Sequence, residues 1–432
     1  MQALSQLLLA RAAQARCGLL LAPQRSAAQA SDVAGLANWA VPPDPAEAWQ
    51  TVSGAVGWSH ADARAAAIAE GLERLAAAQV PLPLRSRADL AQAGERVVDE
   101  DGFALFSPAQ RQSPGFAWPM PPSPQDWFAP VHPLLPGLPP GTAPVWVPQE
   151  LVGLGPRRGA ARLPSTSSGL AAHADGAHGP WLALLRAAQE LLERDALTVT
   201  WLHGLGGREI AVPAHWQARA ARLGGVLRAF DITQAWNPHP VIAVLGGAPW
   251  QGQPRWVLGM ACRATAAAAL EKAALEWAQS LAFAGYMLGE RAQALPREPA
   301  QLRRFDEHAA FYSLRPDLWA QIPLLRHARP AEEKHGGGQD MPDERALALA
   351  QLNHLLERLR GAGIDLLYRE LTTRDVAATG LRVMRVLSPQ LAQLHADESA
   401  PFLGGRTVDW RWRYPWAQPH GPFPNPLPHP LG

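Results

Sequence analysis

Three stretches of this sequence carry an acidic side chain followed three positions later by a second oxygen-bearing one: Glu70 and Glu73, Glu190 and Glu193, Glu276 and Gln279. Arginine follows the first two pairs at once, as Arg74 and Arg194. Residues three apart share a helix face, so each pair is presented side by side. A single Glu-x-x-Glu-Arg run is most often a solvated face with ion pairs of about 0.2–0.5 kcal/mol. Three pairs on otherwise apolar helices ask for another reason, because like charges at neighbouring positions repel. A cation between them would remove that cost. Carboxylates and carboxamides are hard oxygen ligands of the kind Mg²⁺ takes while keeping waters and sharing phosphate oxygens. The guanidinium fork in turn matches phosphate. No GxxxxGK[ST] occurs, so the set points to Mg-nucleotide binding without a P-loop.

The elements that must position these residues are read from periodicity. Residues 61–78, 179–197 and 265–283 are Ala/Leu-rich with apolar side chains at helical spacing, so each acidic pair falls on a helix. Strand-like runs lie at 239–247, 255–262, 364–371 and 381–388. Prolines and tryptophans crowd 107–150, where no helical period survives, and this reads as a long surface excursion or inter-lobe connection. Residues 327–345 combine charge with three glycines and read as a flexible loop. Alternating strands and helices place the chain in the mixed α/β class.

Composition narrows the function classes. The 432 residues are 47% hydrophobic, enough for sizeable cores in one large or two to three average domains. Net charge is +1 with 18% charged residues, so the overall field gives no reason to expect nucleic acid or an anionic membrane as partner. Arg11 and Arg16 interrupt the short apolar runs at the N-terminus, which reads as neither signal peptide nor membrane span. Two cysteines, Cys17 and Cys262, exclude a disulfide framework and fit a reducing cytosol, with Cys262 placed in an apolar run as a buried thiol. The 14 histidines show no HExxH and no close ligand pair on a helix, so a dedicated transition-metal site is not expected.

The ordered set of motifs resembles the YcaO family, ATP-dependent enzymes that activate backbone amides in ribosomal peptides. GWSHADARAAAIAEGLERL is similar to that family's first acidic helix, and STSSGLAAH (165–173) followed by AAQELLERDAL to its SNGLAAG strip and second acidic helix. LEWAQS matches the ExxQ helix, and LTTRDVAATGLRVMRVLSPQLAQLH (371–395) the strand, turn and strand near the family C-terminus. The chain closes on PFPNPLPHPLG, in which Pro426, Pro428 and Pro430 form the PxPxP carried by azoline-forming cyclodehydratases. Proline fixes φ and lacks an N–H, so such a tail is a preformed extended rod. Departures stand beside these matches. The family serine is Ala67 here, the asparagine Ser168 and the arginine after ExxQ Leu281, and no lysine accompanies the glycines of SGAVG (53–57), for which Ser167 and Arg16 are candidate substitutes.

The resemblance implies a YcaO-type α+β fold, a mixed sheet packed with helices that carry the Mg-nucleotide site. It divides the chain into an N-terminal segment (1–50), a YcaO domain (51–414) and a Pro-rich tail (415–432). ATP and Mg²⁺ are the implied cofactors. Glu70, Glu73, Arg74, Ser167, Glu190, Arg194 and Gln279 are the nucleotide candidates, and Glu73, Glu190, Glu193 and Glu276 the metal candidates. Pro426, Pro428, Pro430 and Gly432 are the catalytic candidates of the tail, with the ring of His429 or the terminal carboxylate beside the reacting amide. The implied reaction is cyclodehydration of Cys, Ser or Thr to an azoline. The rivals are thioamide or amidine formation with an external nucleophile, and a non-catalytic peptide-docking subunit. A ribosomal precursor peptide and a separate leader-binding protein are the expected partners, a homodimer is allowed, and the expected location is cytoplasmic. As a terminal rod, the tail is expected to add little to stability.

Overall fold

A computed structural model describes residues 2–26, 32–44, 52–118, 123–139, 141–159, 161, 163–174, 178–330 and 347–432. The three acidic helices are its longest: His60–Gln79, Gly179–Leu202 and Ala266–Glu290. The first starts where Ser59 Oγ accepts the Asp62 N–H at 3.1 Å, and the third where Thr265 Oγ1 accepts that of Ala268 at 3.3 Å. Both are side-chain N-caps that satisfy otherwise orphaned amides. Pro180 opens the second, where no N–H is needed.

The strands are β1 (Gln24–Arg25), β2 (Ala37–Val41), β3 (Ser53–Gly57), β4 (Arg85–Ser86), β5 (Trp127–Pro133), β6 (Val145–Pro148) and β7 (Leu170–His173). After the second acidic helix come β8 (Arg208–Ile210), β9 (Val226–Asp231), β10 (Val241–Trp250), β11 (Gln253–Cys262), β12 (Leu367–Glu370) and β13 (Arg382–Leu387). They form three sheets, ordered β1-β2-β3, β11-β10-β9-β8 and β4-β5-β12-β13-β7, with β6 added to β5. The ladders are antiparallel, giving the expected mixed α+β fold. The first acidic helix lies on β2, β3 and β7, and the third on β10, β11 and β3. The second is clasped between β7 and β13 on one side and β11 on the other. Gly259 makes the third contact so close: a Cβ there would stand 2.0 Å from the Trp277 nitrogen.

One reading of the chain changes. Residues 127–133 and 145–148, inside the stretch taken as a surface excursion, are β5 and β6, with Phe128, Ala129 and Val131 buried. Prolines at 130 and 133 mask the alternation that marks a strand. The N-terminal segment joins the domain that follows it, because β2 pairs along its length with β3. Most of the loop read at 327–345 falls outside the described residues.

Candidate active site

The strand β3 is held from both sides. The Gly54 N–H donates to Glu70 Oε2 at 2.9 Å, and the Gly54 carbonyl accepts from Gln279 Nε2 at 2.9 Å. One residue of the glycine strand thus links the first and third acidic helices. Glu70 Oε1 also takes Arg74 Nη2 at 2.7 Å. Across the site, Glu190 Oε2 accepts the Gly169 N–H at 3.2 Å. Gly169 ends the STSSG strip at φ +80°, where a Cβ would strike the Val386 carbonyl, so glycine is required.

The carboxylates repel one another in a low dielectric. Burial, then Glu190 and Glu70, holds the Glu73 carboxyl well above its ordinary range, against Arg74 and the Ala172 N–H. Burial also raises Glu190, opposed by Arg194 and Arg385. Glu193, 8% exposed, is pushed up to about 8 by burial and by Glu276 and Glu190 despite Arg194. Burial works against the Arg194 charge, but Glu193, Glu190 and Glu276 outweigh it and keep the guanidinium protonated. Arg194 Nη2 lies 3.5 Å from Glu190 and 3.8 Å from Glu193. Glu276 pairs with Lys272 at 3.0 Å.

The structure therefore brings Glu190 within reach of the charges of Glu73, Glu193 and Glu276, on three helices. A cluster of hard oxygen donors with excess negative charge fits Mg²⁺, and the two flanking arginines fit phosphate. Both arginines are bonded through Nη2 to glutamates of their own helices. Ser167 and Arg16 are exposed. Ala67 and Leu281 are fully buried, Leu281 with its carbonyl taken by Arg255 Nη1 at 3.0 Å, so that position faces core. Cys262 is buried as read, its thiol raised by that burial. Sequence reasoning missed Arg385, buried on β13; it stands beside the exposed Arg382 in the apolar run LRVMRVLS, and nothing local tells the two apart.

The tail corrects the reading most. Pro426 is exposed, but Pro428, His429, Pro430 and Leu431 are buried, and Leu431 belongs to the main core. Trp201 Nε1 donates to the Leu427 carbonyl and Tyr312 Oη to that of Pro428, each at 2.6 Å. The Asn425 N–H donates to the Leu202 carbonyl at 2.9 Å. The rod is thus a structural element and not a weakly held end. The His429 ring is held within the fold: its Nε2 donates to the His395 carbonyl at 2.7 Å, and burial, with His308 and His395, drives its pKa far down. Gly432 is exposed beyond it. Although the sequence has no close ligand pair, donor atoms of His308, Glu398 and His429 gather within 4.8 Å. The two imidazoles are stacked, centroids 4.1 Å apart and planes 13° off parallel, so their in-plane lone pairs cannot meet on one ion. We read this cluster as the seat of the tail.

The family model "YcaO cyclodehydratase, ATP- and Mg²⁺-binding" matches residues 54–392. The chain belongs to the YcaO family. Its family is one of ATP and Mg²⁺ binding, and it shares its fold with solved relatives. A heterocyclase in complex with substrate and cofactor superimposes with TM-score 0.71 at 18% identity, covering 98% of this chain and 57% of that one. YcaO from Methanopyrus kandleri, bound with AMPPCP and Mg²⁺, gives 0.58 at 16% identity over 88% of both chains. The E. coli microcin synthetase McbBCD complex with pro-MccB17 bound gives 0.58 at 15%, over 88% of this chain and 90% of that one. This chain therefore spans little more than half the length of the heterocyclase. No curated protein matches it by sequence. Among the described residues no helix is long and apolar enough to cross a membrane.

Proposed function

We propose that this YcaO protein uses ATP to cyclise Cys, Ser or Thr of a ribosomal precursor peptide to thiazoline or oxazoline. The observation that carries the reading is the acidic cluster beside Arg194 on a helix that is coupled to the tail through Trp201, whose Nε1 donates to the Leu427 carbonyl at 2.6 Å. That coupling supports a PxPxP end close to the nucleotide site. In the reaction the side-chain sulfur or oxygen bonds to the preceding carbonyl carbon, whose oxygen takes up the γ-phosphoryl of ATP with release of ADP. Loss of phosphate and of the amide proton then leaves the C=N bond, so one water is removed per ring. An amide oxygen is a poor leaving group, which is why phosphoryl transfer is needed.

Glu73, Glu190, Glu193 and Glu276 would hold Mg²⁺, which supplies neutralisation of phosphoryl charge when bound. Glu70 and Gln279 orient β3 through Gly54, Arg74 and Arg194 take phosphate oxygens, and the exposed Ser167 is a further nucleotide contact. The Gly432 carboxylate is the group free to accept the proton of the nucleophile or amide, positioned by Pro426, Pro428 and Pro430. A precursor peptide with a leader-binding partner, in the cytoplasm, completes the proposal. The test is incubation with a Cys/Ser/Thr-rich precursor peptide, its leader-binding protein, ATP and Mg²⁺. Loss of one water mass per ring, matched by phosphate release, is expected. Replacement of oxygen by an added sulfide or amine would move the reading to thioamide or amidine formation, and peptide binding without ATP turnover to a docking subunit.

A further inference from the structure

Three large arginines are almost wholly buried: Arg255, Arg385 and Arg413. Arg413 has a carboxylate counter-ion, Asp195, at 2.6 Å. Arg385 is held otherwise. Its Nε donates to the Leu151 carbonyl at 2.9 Å and its Nη2 to the Thr166 carbonyl at 2.5 Å, while Nη1 is buried without any hydrogen-bond partner. A buried charge satisfied only by carbonyls is costly unless anions lie near. The anions whose charge acts on Arg385 are Glu190 and Glu73, two residues of the acidic cluster.

We propose that Arg385 is a positioning residue of the nucleotide site, a buried positive charge behind the acidic cluster that tilts it from bare-cation binding toward nucleotide phosphate. The inference rests on the reading of that cluster as the Mg-nucleotide site. Two features of β13 support it. The Val386 N–H donates to the Gly169 carbonyl at 2.7 Å, and the Gly169 N–H donates to Glu190. Arg385 and Val386 therefore hold both ends of the strip 166–169 that fixes Glu190. Its fork also spans two segments distant in sequence, which sets the guanidinium at one place and orientation. Without this charge the cluster gains a full negative unit in a low dielectric, which attracts a divalent cation and repels a polyphosphate.

Those opposite signs make the test. Mn²⁺ binding without nucleotide, followed by electron paramagnetic resonance, and Mg²⁺-dependent binding of a non-hydrolysable ATP analogue, followed by calorimetry, are measured on wild type, Arg385→Met and Arg385→Lys. Arg385→Met is expected to bind Mn²⁺ about threefold more tightly and the analogue about tenfold more weakly, the two shifts opposed as the Coulomb argument requires. Arg385→Lys keeps the charge and should stay within about twofold of wild type on both. Weakening of both ligands together in Arg385→Met, or no change in either, overturns the inference in favour of a plain packing role. A tenfold loss of analogue affinity in Arg385→Lys overturns it as well, and this variant decides alone if Arg385→Met does not fold. Mn²⁺ binding to wild type that is untouched by Glu193→Gln would place the metal elsewhere and overturn the site assignment together with the inference.

Discussion

Glu193 is the residue at which a proton and a metal ion compete most directly. It is 8% exposed, and burial with two neighbouring carboxylates lifts its pKa to about 8. A ligand carboxyl must be ionised to bind Mg²⁺, so nucleotide affinity should rise with pH up to about 8 and level off above it. The same shift has the opposite effect on the ligand-free fold. An unfolded glutamate titrates near about 4.3, so between that pH and about 8 the folded state holds the extra proton. Stability therefore falls as pH rises through that window, and Mg-nucleotide should restore it. In Glu193→Gln the fall should be smaller and ATP consumption abolished, with circular dichroism unchanged. Thermal melts at about pH 6 and about pH 9, with phosphate release, check both. A melting temperature that climbs with pH in the ligand-free wild type would contradict the assignment. The residue types were legible: acid, spacing and trailing arginine pointed to a cation and phosphate. Their pairing was not, because the bond of Glu70 to Gly54 and that of Glu190 to Gly169 depend on strands packed beside the helices.

At the scale of elements, strong periodicity was readable and weak periodicity was not. The helices read at 61–78, 179–197 and 265–283 appear as His60–Gln79, Gly179–Leu202 and Ala266–Glu290, because long Ala/Leu runs leave little competing structure. β10 and β11 were legible for the parallel reason, as apolar runs bounded by turn residues. β5 was hidden by its prolines, and the tail was misjudged because a proline rod shows in sequence neither its partners nor its burial. Four of its partners, Trp201, Leu202, His308 and Tyr312, lie more than a hundred residues away. The mechanical consequence is measurable. Leu431→Ala should cost about 2–3 kcal/mol by opening a cavity in the main core, and deletion of Asn425–Gly432 should cost more. Adding one glycine after Gly432 leaves those contacts in place but displaces the carboxylate by up to ~3.5 Å, so it should slow ring formation while sparing stability and ATP binding. Urea denaturation alongside peptide mass spectra separates the two effects. Wild-type stability in the deletion would show that the tail is not seated, and wild-type rates in the extended variant would remove the carboxylate from catalysis.

The whole molecule is organised around the second acidic helix, which faces two ways. Glu190, Glu193 and Arg194 look into the cluster, whereas the next residue, Asp195, turns to the opposite side and is fully buried. There it accepts from Arg413 Nη2 at 2.6 Å, from Gln234 Nε2 at 3.0 Å and from the Ala392 N–H at 2.7 Å. Nearly two turns onward, Trp201 and Leu202 bind the tail. The helix that carries the nucleotide candidates thus also anchors the C-terminal segment, across 218 residues of sequence in the case of Arg413. Neither Asp195 nor Arg413 stood out in the sequence, since a buried ion pair has no local spacing and Asp195 reads as one more charge in an acidic run. The pair should be an essential joint. Removing one partner leaves the other charge buried and uncompensated, so Asp195→Ala should cost about 3–5 kcal/mol. Replacing both, as Asp195→Leu with Arg413→Met, removes two buried charges and should recover part of that loss, the non-additivity expected of residues in contact. The functional outcome should split in the same way. With the joint broken, the C-terminal segment loses its anchor while Glu190 and Glu193 keep theirs on other faces, so ATP-analogue binding persists and peptide cyclisation falls. Denaturation curves for both single variants and the double variant, with analogue binding and mass spectra on each, decide the matter. Additive stability losses would show that Asp195 and Arg413 act independently, and parallel loss of nucleotide binding and cyclisation would show that the helix does not separate the two ends.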